Sequence, residues 1–178
     1  MSNAEVAPGT GANGRRCVAH EWRKEAILIS DDRSLLDLDV IHGFLAGSYW
    51  SEGIPRELLE RAIENSISFG VYESSRQVGF ARVITDRATF AYLADVFVLE
   101  SYRGRGLSKR LIQVITSHPE LQGLRRWHLV TRDAHGLYLR FGFCDLRDAS
   151  WHMEIVVPGI YKGNQPRTSH LSASPSST

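Results

Sequence analysis

Two hydrophobic periods alternate along the middle of the chain. Glu25 to Ile29 reads as a first strand, closed by Asp31 and Asp32. Leu38, Ile41 and Leu45 then recur at helical spacing and predict a helix over Leu35 to Ser48, with Ser34 or Asp37 as its cap. Gly53-Ile54-Pro55 interrupts the pattern, and Pro55 suits the first turn of a second helix, Arg56 to Asn65, which presents Leu58, Leu59 and Ile63. Period two takes over from Ser66 to Tyr72, with Ile67, Phe69 and Val71 on one face. Glu73 to Arg76 reads as a hairpin turn, Gln77 to Thr85 as the next strand, and Asp86-Arg87-Ala88 as a second turn. Phe90 to Leu99 is apolar on both faces, the mark of a central strand. A helix over 104–117 follows, with Leu107, Leu111, Ile112 and Ile115 inward and Pro119 limiting its end. Trp127 to Thr131 predicts a strand and Ala134 to Phe141 a helix closed by Gly142. Trp151, Met153, Ile155 and Val157 alternate as a final strand, which makes the whole a mixed α/β chain.

Between the central strand and the third helix lies a basic, glycine-studded turn, Arg103-Gly104-Arg105-Gly106-Leu107-Ser108-Lys109. The first N–H groups of a helix lack internal partners and carry partial positive charge, so a turn of this kind suits phosphate. Gly104 and Gly106 let the backbone approach a ligand closely, and Arg103, Arg105 and Lys109 add cationic side chains. A phosphate-binding P-loop is a poor fit, because Gly-x-x-x-x-Gly-Lys-Ser/Thr is absent here. A dinucleotide fingerprint fits no better, because Lys109 stands where its third glycine belongs. Taken alone, the turn is equally compatible with a surface loop of solvated charges.

What the segment does meet is Arg/Gln-x-x-Gly-x-Gly/Ala, with Ser108 in the final small-residue slot. It resembles the acyl-CoA loop of the GNAT superfamily of N-acetyltransferases, whose loop amides bind the cofactor pyrophosphate. A second stretch, Ala134-x-x-Leu137-Tyr138-x-x-x-Gly142-Phe143, is similar to a motif that the same family carries downstream of its loop. Thr131 stands where that family often has asparagine. The resemblance spans roughly residues 24 to 157. It implies a GNAT-like central mixed, mostly antiparallel sheet flanked by helices, with splayed central strands. The expected organisation is a disordered tail over 1–22, the acetyltransferase domain over 23–157 and a Ser/Pro-rich disordered tail over 158–178.

Acetyl transfer from a thioester needs a neutral amine, a stabilised oxyanion and a proton for the departing thiolate. The resemblance implies acetyl-CoA as donor, held by the amides of Val96, Phe97 and Val98 and by Arg103 to Lys109, including Leu107 and Ser108. It implies Tyr138 as the acid, since a phenol near ~10 titrates close to a thiol. Asp95 is the one charged residue of the apolar strand and must be wetted or paired. It is expected to act as base through a water, to hold an ammonium, or to serve structure at a bulge. Tyr92 is a second candidate. Tyr49, Trp50 and Glu52, between the first two helices, are expected at the acceptor site, with Glu52 attracting a cationic amine. The acceptor would be a small-molecule or peptide amine, and the alternative is a non-catalytic acyl-CoA-binding regulatory module.

The 178 residues suffice for one domain with a real core. A net charge of +1 gives no global field for nucleic acid or membrane, so neither is an expected partner. Two cysteines, Cys17 and Cys144, are too few for a Cys/His metal site, and no metal is expected. No apolar run or signal-like segment stands out, so the expected compartment is cytoplasmic. A homodimer is left open.

Overall fold

The computed structural model describes residues 7–8 and 18–162. Six strands form one sheet in the order β1-β2-β3-β4-β5-β6, comprising β1 (Glu21–Lys24), β2 (Ile27–Ser30), β3 (Ile67–Glu73), β4 (Arg76–Thr85), β5 (Phe90–Val98) and β6 (Arg126–His128). All neighbours are antiparallel except β5 and β6. Helices α1 (Leu38–Leu45) and α2 (Arg56–Glu64) cover one face, and α3 (Leu107–Thr116) and the short α4 (His135–Tyr138) cover the other. The mixed α/β architecture expected from the sequence is the one observed.

Each face has its own core. Ile29, Phe69, Val71, Val83, Leu93, Leu111 and Ile115 form the cluster under α3, whereas Ile41, Leu45, Leu59, Ile63, Phe80 and Phe97 form the cluster under α1 and α2. α1 begins where the Asp37 carboxylate accepts the N–H groups of Asp39 and Val40, which settles the choice of cap. It is shorter than the periodicity suggests, because Arg33–Leu35 forms a separate 3-10 turn capped by Asp32. Arg110 of α3 donates to the carbonyls of Trp22, Lys24 and Ile27, pinning the β1–β2 hairpin to the helix.

Three expectations change. The single first strand is a hairpin, turned at Glu25 with φ of 54°. Residues 18–22, assigned to the tail, include Val18–Ala19 in a strand bridge and the start of β1, with the His20 N–H on Asp31 Oδ1. The rest of the expected N-terminal tail, apart from Ala7–Pro8, and residues 163–178 lie outside the described residues. The final strand is not formed among the described residues: Trp151 ends a 3-10 turn, and residues 152–157 pair with no described strand. Alternation in that stretch is real, but no sheet edge among the described residues receives it. Among the described residues no helix is long and apolar enough to cross a membrane.

Candidate active site

A slip of register creates the site. Gly79 faces Val98 and Phe80 faces Phe97, yet Arg82 faces Ala94, so β5 carries one extra residue opposite Ala81. Asp95 sits within the bulge, with φ of 54°. The bulge shifts side-chain parity: Leu93 and Val98 point to the α3 core, while Phe97 points to the α1–α2 core. Asp95 is buried, and its carboxylate accepts Arg82 Nε and, at 3.1 Å, Trp50 Nε1. Each carboxylate oxygen of Asp95 thus has a protein partner, Trp50 on Oδ1 and Arg82 on Oδ2, at the bulge.

On its other edge β5 pairs with β6 only through Phe90↔Arg126, Ala91↔Trp127 and Tyr92↔His128. Beyond that pair the strands part, as the resemblance implied. Leu99 N–H donates to Val78 O at 2.8 Å, so by the two-residue period Val98 turns its own N–H and C=O to the parted edge. There the Val98 carbonyl accepts Arg103 Nε at 3.2 Å. The same parity directs the Phe97 N–H toward β4, and its ring stacks on Phe44 at 3.9 Å. Of the three expected amides, Val98 faces the gap and Phe97 does not; Val96 adjoins the bulge, its half-buried side chain against the α3 core.

At the end of the parted edge the backbone turns at Gly104 and Gly106, with φ of 76° and 77°. Nothing lies within 4 Å of where a Cβ would stand at either, so the space beside them is open. Gly106 caps α3, whose first bond runs from Arg110 N–H to Gly106 O. The amides of Leu107, Ser108 and Lys109 precede that bond and have no helical partner. The first turn holds no acidic residue, so its partial positive charge is uncompensated. Leu107 is buried and has only its amide to offer. Arg105 pairs with Glu73, holding that carboxyl below its usual range, while Lys109 stays exposed.

Across the gap Tyr138 lines a cavity of about 490 Å³ together with Trp127, His128, Thr131 and Phe143. Burial, then Tyr49 and Asp133, push its phenol up to about 12. The hydroxyl therefore stays protonated at any working pH and is a weaker acid than the sequence suggested. Thr131 Oγ1 accepts the Ala134 N–H at 3.1 Å, so threonine at this place caps the turn into α4. The α1–α2 loop is fixed by His42 Nε2 against Ile54 O at 2.9 Å and by Gly53 N–H on Ala46 O at 2.9 Å. From it Trp50 reaches Asp95 on β5. The Tyr49 hydroxyl accepts the Arg132 N–H at 3.3 Å, and the Arg132 guanidinium lies 3.9 Å from the Tyr49 ring centroid. Tyr49 and Trp50 thus bridge the parted strands. Glu52 does not join them, because it pairs with Lys162 at 2.5 Å.

Sequence reasoning missed Arg82, Arg132 and His128. Parallel register aligns Tyr92 with His128 on one face, where their rings stack at 5.6 Å, and His152 stacks on His128 at 5.9 Å. Burial, then His152 and Arg126, push the His128 imidazole below its usual range. No spacing along the chain marks this residue, because its neighbours, Tyr92 and His152, come from distant parts of the sequence.

Elsewhere, His20, Asp31 and His118 bring ligand-type atoms within 4.8 Å of one another. His118 Nδ1 accepts the Glu120 N–H, so Nε2 carries the ring proton and donates it to Asp31 Oδ2 at 2.9 Å. That nitrogen offers no lone pair to a cation. Burial raises the Asp31 carboxyl, but the hydrogen bonds from His118 and His20 outweigh it and hold the group below its usual range. The cluster ties β1 and β2 to the end of α3.

The strand order, the parting of β5 from β6 and the glycine turn that follows define an acyltransferase fold. A family model described as an acetyltransferase (GNAT) domain matches residues 64–145. A protein of Gibberella zeae named "putative acetyltransferase" is 32% identical over 151 residues, which cover 71% of this chain and 84% of that protein. The crystal structure of a "putative acetyltransferase belonging to the gnat family" from Xanthomonas campestris is 51% identical, with a TM-score of 0.75 over 77% of this chain and 97% of that one. A Staphylococcus aureus structure described as a "probable acetyltransferase" shares the fold at 23% identity, with a TM-score of 0.60 over 74% of this chain and 99% of that one. The chain belongs to the GNAT acetyltransferase family and is an acyltransferase.

Proposed function

We propose that the protein moves an acetyl group from acetyl-CoA to a primary amine, of a small molecule, an amino acid or a peptide, by direct attack within a ternary complex. The parting of β5 and β6 after Tyr92–His128 carries this reading, because it opens a slot ending at the Gly104–Gly106 turn. The free amides at the start of α3 receive the diphosphate, with Arg103, Arg105 and Lys109 around it. The Val98 N–H lies along the slot as a donor for the thioester arm. Tyr49, Trp50 and Tyr92 border the acceptor's entry.

His128 takes the amine proton, directly or through a water. Its depressed basicity keeps it neutral near neutral pH, and it lines the same cavity as Tyr138. The amine nitrogen then bonds to the acetyl carbon, the carbon–sulfur bond breaks, and the Tyr138 hydroxyl passes a proton to the departing thiolate as it regains one from the His128 imidazolium in the same cavity. Asp95 holds Arg82 and Trp50 and so positions the acceptor wall. The reduced intracellular setting suits a CoA-dependent reaction and is part of the same proposal. Mass detection of acetylated products across an amine panel, alongside calorimetry with CoA, tests it. Acetylated product together with CoA binding is expected. CoA binding with no product from any amine leaves the regulatory module, and no CoA binding ends both readings.

A further inference from the structure

On its acceptor side the sheet presents an apolar floor. Phe80 of β4 belongs to the α1–α2 core, so by the two-residue period Arg82 and Ile84 share its face. Ile84 faces Tyr92, and Tyr92 faces His128, which sets these three side by side across β4, β5 and β6. Tyr49 and Trp50 approach this row from the α1–α2 loop, their rings edge to face at 4.9 Å. Ile84 and Trp50 are each 42% exposed and Tyr49 is 48% exposed. The chain's own packing therefore leaves large apolar surfaces open on the side of the sheet that carries His128.

Charges around this floor are unevenly balanced. Asp95 is taken up by Arg82 and Trp50, and Glu52 by Lys162. Arg132 has no carboxylate partner among the described residues, yet it is held in place. Its main-chain N–H donates to the Tyr49 hydroxyl and its guanidinium stacks on the Tyr49 ring. Stacking engages the flat face of the guanidinium and leaves its edge of N–H donors for a planar anion. Thr131, the residue before it, lines the cavity that holds His128 and Tyr138. Both Tyr49 and Asp133 raise the Tyr138 phenol, which sets the Tyr49–Arg132 pair beside that cavity. Asp133 forms no ion pair with its neighbour Arg132.

We propose that the acceptor is an amine that also carries a carboxylate, on an apolar or aromatic body, as an apolar amino acid does. The edge of Arg132 receives the carboxylate as a pair of parallel charge-assisted hydrogen bonds. The body lies over Ile84 and Tyr92, against Tyr49 and Trp50, and the amine reaches His128. A polyamine is rejected, because its second ammonium meets Arg132 and finds Asp95 and Glu52 already paired. An amine without a carboxylate leaves the Arg132 donors unused. This acceptor class rests on the acetyl-transfer reading, whereas the carboxylate contact is measurable without it.

Acetylation of L-leucine and L-phenylalanine is compared with that of their amides, of phenethylamine and of spermidine. The two carboxylates are expected to lead in kcat/KM by about 10-fold or more. Arg132→Gln should shrink that preference toward parity. Arg132→Lys should restore part of it, because the charge returns without the fork. Calorimetry of the same compounds against the full chain, with CoA present and absent, reads acceptor binding without turnover. Carboxylate binding that Arg132→Gln weakens, in a protein that acetylates nothing, ends the transfer reading and upholds the Arg132 contact. A better rate with spermidine or phenethylamine overturns the proposal. So does an Arg132→Gln variant that slows every acceptor equally, and so does a wild type that binds neither carboxylate in either state.

Discussion

Replacing Gly106 by alanine makes the cap of α3 hold φ near +77° with a Cβ attached. The left-handed conformation costs an L-residue about 1–2 kcal/mol. No protein atom lies within 4 Å of the new Cβ, so strain is the whole intramolecular cost. In a domain of this size that lowers the melting temperature by about 2–8 °C. The affinity for CoA should suffer more. A backbone donor to a charged oxygen is worth about 1.5–3 kcal/mol, so losing one such bond raises Kd by about 10- to 150-fold. Asparagine separates the two effects, because it tolerates the left-handed region better than alanine but fills the same open space. Gly106→Asn should regain part of the melting temperature and none of the affinity. Thermal denaturation and titration calorimetry with CoA read both quantities. Alanine and asparagine variants that melt lower yet bind CoA with wild-type affinity would refute the diphosphate assignment of this turn.

Asp95→Asn should destabilise the fold by about 3–5 kcal/mol in urea denaturation, because it leaves the largely buried Arg82 guanidinium without its counter-charge. Wild-type stability combined with lost turnover would restore Asp95 to the chemistry. With His128 as base, turnover falls as pH drops through a value below the usual histidine range and is retained above it, since the neutral imidazole is the active form. His128→Gln should lower kcat and abolish that acidic limb, and an unchanged pH profile removes the assignment. Tyr138→Phe should reduce turnover by about 100-fold with CoA affinity unchanged. Because burial holds the phenol near 12, no alkaline limb from Tyr138 is expected below that pH in the wild type.

Local signals carried much of this protein into the sequence. The two hydrophobic periods marked the strands and helices that build the cores, because burial on one face repeats at fixed spacing. Gly104, Gly106 and the residues after them were legible because a helix start and its glycines are contiguous in the chain. Boundaries suffered where short-range hydrogen bonds decide: Asp32 and Asp37 split one expected helix into a 3-10 turn and α1. The final strand failed for a different reason. Period two states that Met153 and Ile155 can pack on one face, but it does not state which sheet edge will take them.

What the sequence determined by itself was the class of fold and the place of the glycine turn, since both rest on neighbours in the chain. Tertiary structure alone decided which charged and aromatic groups share the site. The bulge rotated Asp95 into the grip of Arg82 and Trp50, and parallel register set His128 against Tyr92 where the strands part. Those partners sit on different strands and loops. Their roles follow from distance and burial, which no one-dimensional pattern encodes.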